Sequence, residues 1–160
     1  MKTMLLIISI IIFGLYSCEK ESTSPTFEGE IIEMSLYNDN GFSNNSPDTF
    51  LVSKNNIILK YGKMNRENKW LFKELIDTSS IKISYILGLA NAINVNDFKS
   101  KYEGDTNIAD LSKYIFKFKS TKNTKIIEFK YSETHPNKLI NFINQIDSMI
   151  YDYKLKNPVE

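Results

Sequence analysis

Tyr114-Ile115-Phe116-Lys117-Phe118-Lys119 and, past a short polar stretch, Ile127-Glu128-Phe129-Lys130-Tyr131 decide the fold. In the first run Tyr114, Phe116 and Phe118 alternate with Ile115, Lys117 and Lys119; in the second Ile127, Phe129 and Tyr131 alternate with Glu128 and Lys130. A period of two marks a strand with one face buried. A turn centred on Lys122-Asn123 joins them as a hairpin and sets a register. Phe118 then faces Ile127, Phe116 faces Phe129 and Tyr114 faces Tyr131, with Lys117 opposite Glu128 on the other face. Such cross-strand pairs contribute about 0.2–1 kcal/mol each. A slip of one residue would turn every aromatic to solvent.

On the C-terminal side, Thr134-His135-Pro136 opens a helix, with proline in the first turn where a missing N–H costs nothing. Leu139, Ile143, Ile146, Ile150 and Tyr153 make its apolar stripe, Ile140, Phe142 and Met149 widen it, and Asn157-Pro158 ends it. On the N-terminal side, Asp77-Thr78-Ser79-Ser80 offers several N-caps for a helix over about 81–93. Ile83, Ile86, Leu87, Ala90 and Ile93 fall at helical spacing, and Phe98 and Tyr102 follow as core anchors. Further upstream, Glu28 to Tyr37 is a strand and Asn38 to Asp48 a loop. A hairpin turning at Lys54-Asn55-Asn56 sets Phe50 opposite Tyr61 and Val52 opposite Leu59. Asn65 to Asn68 is a second turn; Trp70 to Ile76 fits a strand, and Lys73-Glu74-Leu75 equally fits the start of a helix. Strands, helix, hairpin, helix in that order predicts an α+β fold: an antiparallel sheet with two helices packed on one face. Residues 27–156 form that single domain.

Composition narrows the function classes. The chain has 160 residues, 20 Lys+Arg against 19 Asp+Glu, one His and one Cys. The balance is too neutral for a nucleic-acid footprint, and one cysteine excludes a disulfide framework or a Cys-cluster metal site. Lys117, Lys119 and Lys130, with Lys125, form a basic stripe that Glu128 interrupts; it is expected to be a solvated sheet face rather than a nucleic-acid surface.

Lys2 is followed by the apolar run Leu5 to Leu15, too short to span a bilayer and right for the core of a signal peptide, residues 1–17. Leu15-Tyr16-Ser17-Cys18 resembles a bacterial lipobox. The resemblance implies cleavage before Cys18, lipidation of its thiol and acylation of its new amino group with fatty chains of the palmitate kind. Several acyl chains on one residue exceed what stable membrane anchoring needs. Polarity changes abruptly at Glu19-Lys20-Glu21-Ser22, and residues 18–26 are expected to be a tether reaching about 25–30 Å when extended. Cys18-Glu19-Lys20-Glu21 partly resembles the export signal of Bacteroidetes-type lipoproteins, which implies the outer membrane, periplasmic or surface-facing. Removing residues 1–17 leaves 143 residues with 19 charges of each sign. Phe98, Tyr102 and Asp105, the Lys- and aromatic-rich strand pair, and Pro136, Leu139 and Ile146-Asp147 also resemble a family of small uncharacterised domains of such lipoproteins, over 70–151. That resemblance implies a fold and an address and no activity.

The candidates for chemistry are few. His135, the sole histidine, stands at a helix start, where a solvated or capping role is expected. Asp97, Glu103, Asp105 and Asp110 are the carboxylates that a small hydrolase or glycan-binding subunit would have to bring together. Glu103, Asp105, Asn107 and Asp110 are oxygen donors for calcium, without EF-hand spacing. Asp147-Ser148-Met149 resembles a short O-glycosylation site and is taken as chance. No phosphate-binding glycine loop and no GxSxG elbow occurs. The expectation is an envelope lipoprotein without catalytic residues, metal or cofactor, acting as a binding or accessory, inhibitor or immunity-type protein. Its membrane contact is the lipid on Cys18. A protein partner in the envelope would meet the Asn38–Asp48 loop or the Lys-bearing sheet face.

Overall fold

The computed structural model describes residues 26–39, 48–104, 113–130 and 135–159. Seven strands form one sheet: β1 (Glu33–Asp39), β2 (Asp48–Ser53), β3 (Ile57–Met64), β4 (Trp70–Asp77), β5 (Lys101–Tyr102), β6 (Lys113–Lys119) and β7 (Thr124–Lys130). Their order across the sheet is β4-β3-β2-β1-β6-β7-β5. All neighbours are antiparallel except β5, which lies parallel to β7. Helix α1 (Ser80–Ala92) and helix α2 (Asn137–Lys156) complete the α+β fold, with a 3-10 turn at Val95–Asp97.

The alternation read in the sequence places the core. Met34, Leu36, Phe50, Val52, Leu59, Phe116, Phe118, Ile127 and Phe129 share one face and are fully buried. Both helices cover that face. Phe142 of α2 lies against the rings of Phe116 and Phe118 at 5.6 and 6.0 Å, while α1 buries Ile83, Ile86 and Ala90. Burying a side chain of this size contributes about 1.5–3 kcal/mol. Phe142, expected only to widen the apolar stripe of α2, is part of its centre, with Leu139, Ile143, Ile146 and Ile150.

Both hairpin registers differ from expectation by two residues. Phe50 faces Leu59 rather than Tyr61, and Val52 faces Ile57 rather than Leu59. Phe116 faces Ile127, Tyr114 faces Phe129 and Phe118 faces Lys125; Tyr131 lies outside the described residues. Lys117 meets Ile126, and Glu128 faces Ile115 and ion-pairs with Lys113 at 3.1 Å. The cause is the same in both turns. Ser53 and Ser120 close four-residue turns, each through an N–H donated to the carbonyl of an asparagine three residues on, Asn56 and Asn123, at 2.9 Å. The serine hydroxyl also accepts the N–H groups of the turn. An even shift leaves every side chain on its expected face, so the core survives the change of register.

Two other boundaries move, and two open readings are decided. β1 begins at Glu33 rather than Glu28, because Gly29 takes φ +89° and the backbone of Ile31 bonds to Asn91 of α1. Trp70–Asp77 is a strand, the exposed edge of the sheet. Ser79 is the N-cap of α1, its hydroxyl accepting from Lys82 N. Pro136 occupies the N-cap of α2 instead of its first turn, and its carbonyl accepts the N–H groups of Leu139 and Ile140.

Candidate functional site

The carboxylates singled out from the sequence do not form a site among the described residues. Asp97 is exposed and accepts from the Asn94 side chain at 2.7 Å. Glu103 is exposed and ion-paired with Lys101, which holds its carboxyl below the usual range. Asp105, Asn107 and Asp110 lie outside the described residues, as do Cys18 and the expected lipobox residues Leu15, Tyr16 and Ser17. Of the expected Asn38–Asp48 loop, Asn38 and Asp39 belong instead to β1 and Asp48 to β2, where they continue the strand ladder, and residues 40–47 lie outside the described residues. His135 donates from Nε2 to the Lys130 carbonyl at 2.8 Å and packs edge-on against Tyr102 and Phe129. Among the described residues no group of three or more His, Cys, Asp or Glu is placed to hold a metal. Lys117, Lys119 and Lys130 are exposed on the open face of the sheet. Lys125 leaves their stripe: it faces Phe118 on the helix side, and burial lowers its ammonium.

The polar cluster that does exist was not legible in the sequence. Asn38 pairs with Asp48 on one side and Tyr114 on the other, so three polar side chains line up on the covered face at one end of the sheet. From α2, Asp147 accepts the Tyr114 hydroxyl at 2.9 Å, and Lys154, two turns on, ion-pairs with Asp48. Lys154 also lies 5.6 Å from the centre of the Tyr61 ring, whose hydroxyl donates to the Asn157 carbonyl. Asn38 and Asp48 are buried, and Asn38 Oδ1 and Asp48 Oδ1 have no hydrogen-bond partner among the described residues. Burial pushes the Asp147 carboxyl above the usual carboxylate range, the charge of Asp48 adds to this, and Tyr114 and Lys154 oppose it. Asp147 opens onto a shallow depression shared with Asn144, Ser148, Tyr151 and Asp152. Its sequence neighbours resembled only a chance glycosylation site; its partner Tyr114 comes from β6 and the charge that acts on it, Asp48, from β2, and nothing local announces them.

The helix layer carries a second feature. A groove of about 230 Å³ between α1 and α2 is walled by Tyr85, Ile86, Met149 and Tyr153 and rimmed by Lys82, Asp152 and Lys156. It is anchored at one end by Asp77, at the end of β4. Asp77 accepts from Ser79 N at 2.8 Å, from Lys82 Nζ at 2.6 Å and from the Tyr153 hydroxyl at 2.8 Å. Lys82 and these donors hold the Asp77 carboxyl down at about 2, and burial with the Asp77 bond pushes the Tyr153 hydroxyl up to about 12. The groove therefore has fixed walls and a fixed cation at its rim, with the exposed Tyr85 ring as its free side.

No helix among the described residues is long and apolar enough to cross a membrane. No protein-family model matches the chain, and neither curated proteins nor solved structures give a significant match to its sequence or fold.

Proposed function

We propose that this chain is a Bacteroidetes-type cell-envelope lipoprotein, anchored through acylated Cys18, whose domain is a non-enzymatic binding module. The anchoring half rests on Leu15-Tyr16-Ser17-Cys18 behind a short apolar run and ahead of a polar tether. The binding half is carried by one observation, the apolar groove between α1 and α2 with Lys82, Asp152 and Lys156 at its rim. Its volume suits one apolar side chain of a protein partner, and falls below the several hundred Å³ usual for a small-molecule site. Accessory, inhibitory and immunity roles all use such a contact.

Cys18→Ala tests the anchor: it should abolish lipid labelling and membrane retention, and continued membrane anchoring of that variant would refute it. Tyr85→Ala tests the groove. Tyr85 is exposed, so the fold should persist while a stoichiometric partner captured from envelope extract by the wild type is lost. Equal capture by both chains would remove the groove from the reading.

One observation favours a carboxylate-dependent hydrolase instead. Asp147 has the raised carboxyl a general acid needs, beside Asp48 and Tyr114 and at a surface depression. Hydrolytic turnover of a glycan or ester by the purified chain, lost in Asp147→Asn, would establish that alternative.

A further inference from the structure

β4 is an edge of the sheet eight residues long, and half of its backbone is unpaired among the described residues. The turn before it shows which half. Asn65 N donates to the Lys69 carbonyl at 2.9 Å, and the register of β3 with β4 continues from that bond through Met64 opposite Trp70 and Lys63 opposite Leu71. Hydrogen-bonded and non-hydrogen-bonded pairs alternate along an antiparallel ladder. Lys69, Leu71, Lys73, Leu75 and Asp77 therefore bond to β3, and Trp70, Phe72, Glu74 and Ile76 turn their N–H and C=O groups outward. The side chains of those same four residues are exposed on the open face of the sheet, Phe72 at 72% and Ile76 at 62%. The Trp70 and Phe72 rings stack at 6.2 Å. Natural edges are blunted by proline, by a bulge or by brevity. β4 has no proline, and its register with β3 runs unbroken over all eight residues. The opposite edge, β5, has only two residues.

We propose that β4 is a dimerisation edge, which pairs antiparallel with the β4 of a second copy of this chain. Three observations select a second copy as the occupant. First, the sheet has one long edge. β5 is too short to receive β4, so two copies meet through β4 alone, and the contact closes about a two-fold axis instead of growing into a fibre. Second, the strand matches itself. An axis at Lys73 brings all four outward residues of each copy into the new ladder, Trp70 against Ile76 and Phe72 against Glu74. The large apolar groups of the edge then meet on the open face: Trp70 of each copy covers Ile76 of the other, and the two Phe72 side chains are diagonal neighbours, within reach of aromatic rings. On the helix side Leu71 falls against Leu75. A foreign strand would have to carry the same pattern in reverse order. Third, the charges agree. Lys69 of each copy falls opposite Asp77 of the other, and Glu74 is held within its own copy by Lys60 at 2.8 Å. The one unfavourable pair is Lys73 opposite itself, and its ammonium is drawn aside to the Pro158 carbonyl at 2.9 Å. Moving the axis to Glu74 would set that acid against itself. Moving it to Phe72 would set Asp77 against Glu67 and leave Ile76 beyond the ladder.

Sedimentation velocity of the full chain in detergent, over a range of protein concentrations, should show monomer passing to dimer and no further. Glu74→Pro removes an outward N–H and no bond to β3, at an edge position where proline is tolerated. The lost bond occurs twice across the axis, so the dissociation constant should rise about tenfold or more, with an unchanged circular dichroism spectrum. Cys18→Ala should dimerise as the wild type does, because the edge is independent of the proposed anchor. That variant has no native thiol, and a second substitution in it reads the register. Lys73→Cys puts one thiol of each copy in a non-hydrogen-bonded pair on the axis, with Cα atoms about 4.5 Å apart, inside the range of a disulfide. Leu71→Cys leaves the two thiols about 13 Å apart along the strand. Oxygen with copper phenanthroline should cross-link Lys73→Cys about tenfold faster than Leu71→Cys. If Glu74→Pro unfolds, the two cross-linking variants carry the test. A monomer at every concentration, assembly beyond the dimer, a dimer that requires Cys18, a dimer unchanged in folded Glu74→Pro, or equal cross-linking at the two positions overturns the inference.

Discussion

Asn96 hydrogen-bonds both backbone groups of Phe27, accepting its N–H at 2.7 Å and donating to its carbonyl at 2.9 Å. Asn91 does the same for Ile31, at 2.7 and 3.1 Å. Asn123 accepts from Glu28 N at 3.2 Å and donates to the Thr26 carbonyl at 2.8 Å. A segment with no strand partner here has its backbone paired by amide side chains, as buried polar groups require. Phe27 and Ile31 are thereby held in the core. Asn96→Ala would leave both groups of Phe27 without partners and should cost about 1–3 kcal/mol, measured by urea unfolding. Asn96→Asp should recover less than half, because it keeps the acceptor and loses the donor. Full stability in Asn96→Ala would show that the segment is not held this way.

The two serine turns differ in burial, and their variants should differ accordingly. Ser120 is 4% exposed; its hydroxyl donates to the Glu28 carbonyl at 2.6 Å and accepts from Lys122 N and Asn123 N, each at 3.1 Å. Ser53 makes longer bonds at 3.3 Å to Asn55 N and Asn56 N and donates to Asn56 Oδ1 at 2.8 Å, in a half-buried turn. Ser120→Ala should therefore cost about 1–2 kcal/mol and Ser53→Ala well under 1 kcal/mol. Thermal midpoints of the two variants decide the order.

Asp77 joins the end of β4, the start of α1 and Tyr153 of α2. Its carboxyl is held down at about 2 in the folded chain, so it contributes stability above the ordinary carboxylate pKa. That contribution is lost as pH falls from about 4 to about 2. Lys82 is exposed, so solvent screening keeps the effect to about 1 kcal/mol. Asp77→Asn should be less stable than wild type at pH 7, and the difference should shrink toward pH 2 in acid-unfolding curves.

Asp147 carries the opposite sign. Burial raises its carboxyl, so its contribution is complete below the ordinary carboxylate range and is lost as pH rises through its raised value. Asp147→Asn keeps an acceptor for the Tyr114 hydroxyl and removes the buried charge. The variant should be as stable as wild type or more so at pH 7, with a flatter dependence of stability on pH above the ordinary carboxylate range. A steep loss at pH 7 would mean that the Lys154 and Tyr114 contacts outweigh desolvation.

Much of the architecture is local information. The alternation in Tyr114–Lys119 and Ile127–Lys130 assigns buried and open faces, because a strand's side chains change sides at every residue whatever it pairs with. The same holds for the stripes of α1 and α2, for the Ser79 cap and for the Asn65–Asn68 turn, where Asn68 takes φ 58°. The lipobox-like pattern at Leu15–Cys18 is likewise contiguous, and the resemblance is legible without a fold.

What the sequence by itself determined is therefore the type of most main elements, β4 excepted, the face each buries and the expectation of an anchor. Only the tertiary structure decided the rest. The hairpin registers depend on which turn hydrogen bonds close, and Ser53 and Ser120 win over the asparagine-centred turns by satisfying the turn backbone. β5 joins the sheet in parallel through two residue pairs, too few to leave a periodic trace. The abundant asparagines, which look like compositional bias along the chain, become specific clamps at Asn91, Asn96 and Asn123 once distant backbone is beside them. Asp48, Tyr114 and Asp147 belong to three separate elements, and each becomes unusual only when folding withdraws it from water beside the others. Charge in a low-dielectric site is a property of the assembled neighbourhood, and that neighbourhood is written at no single position in the chain.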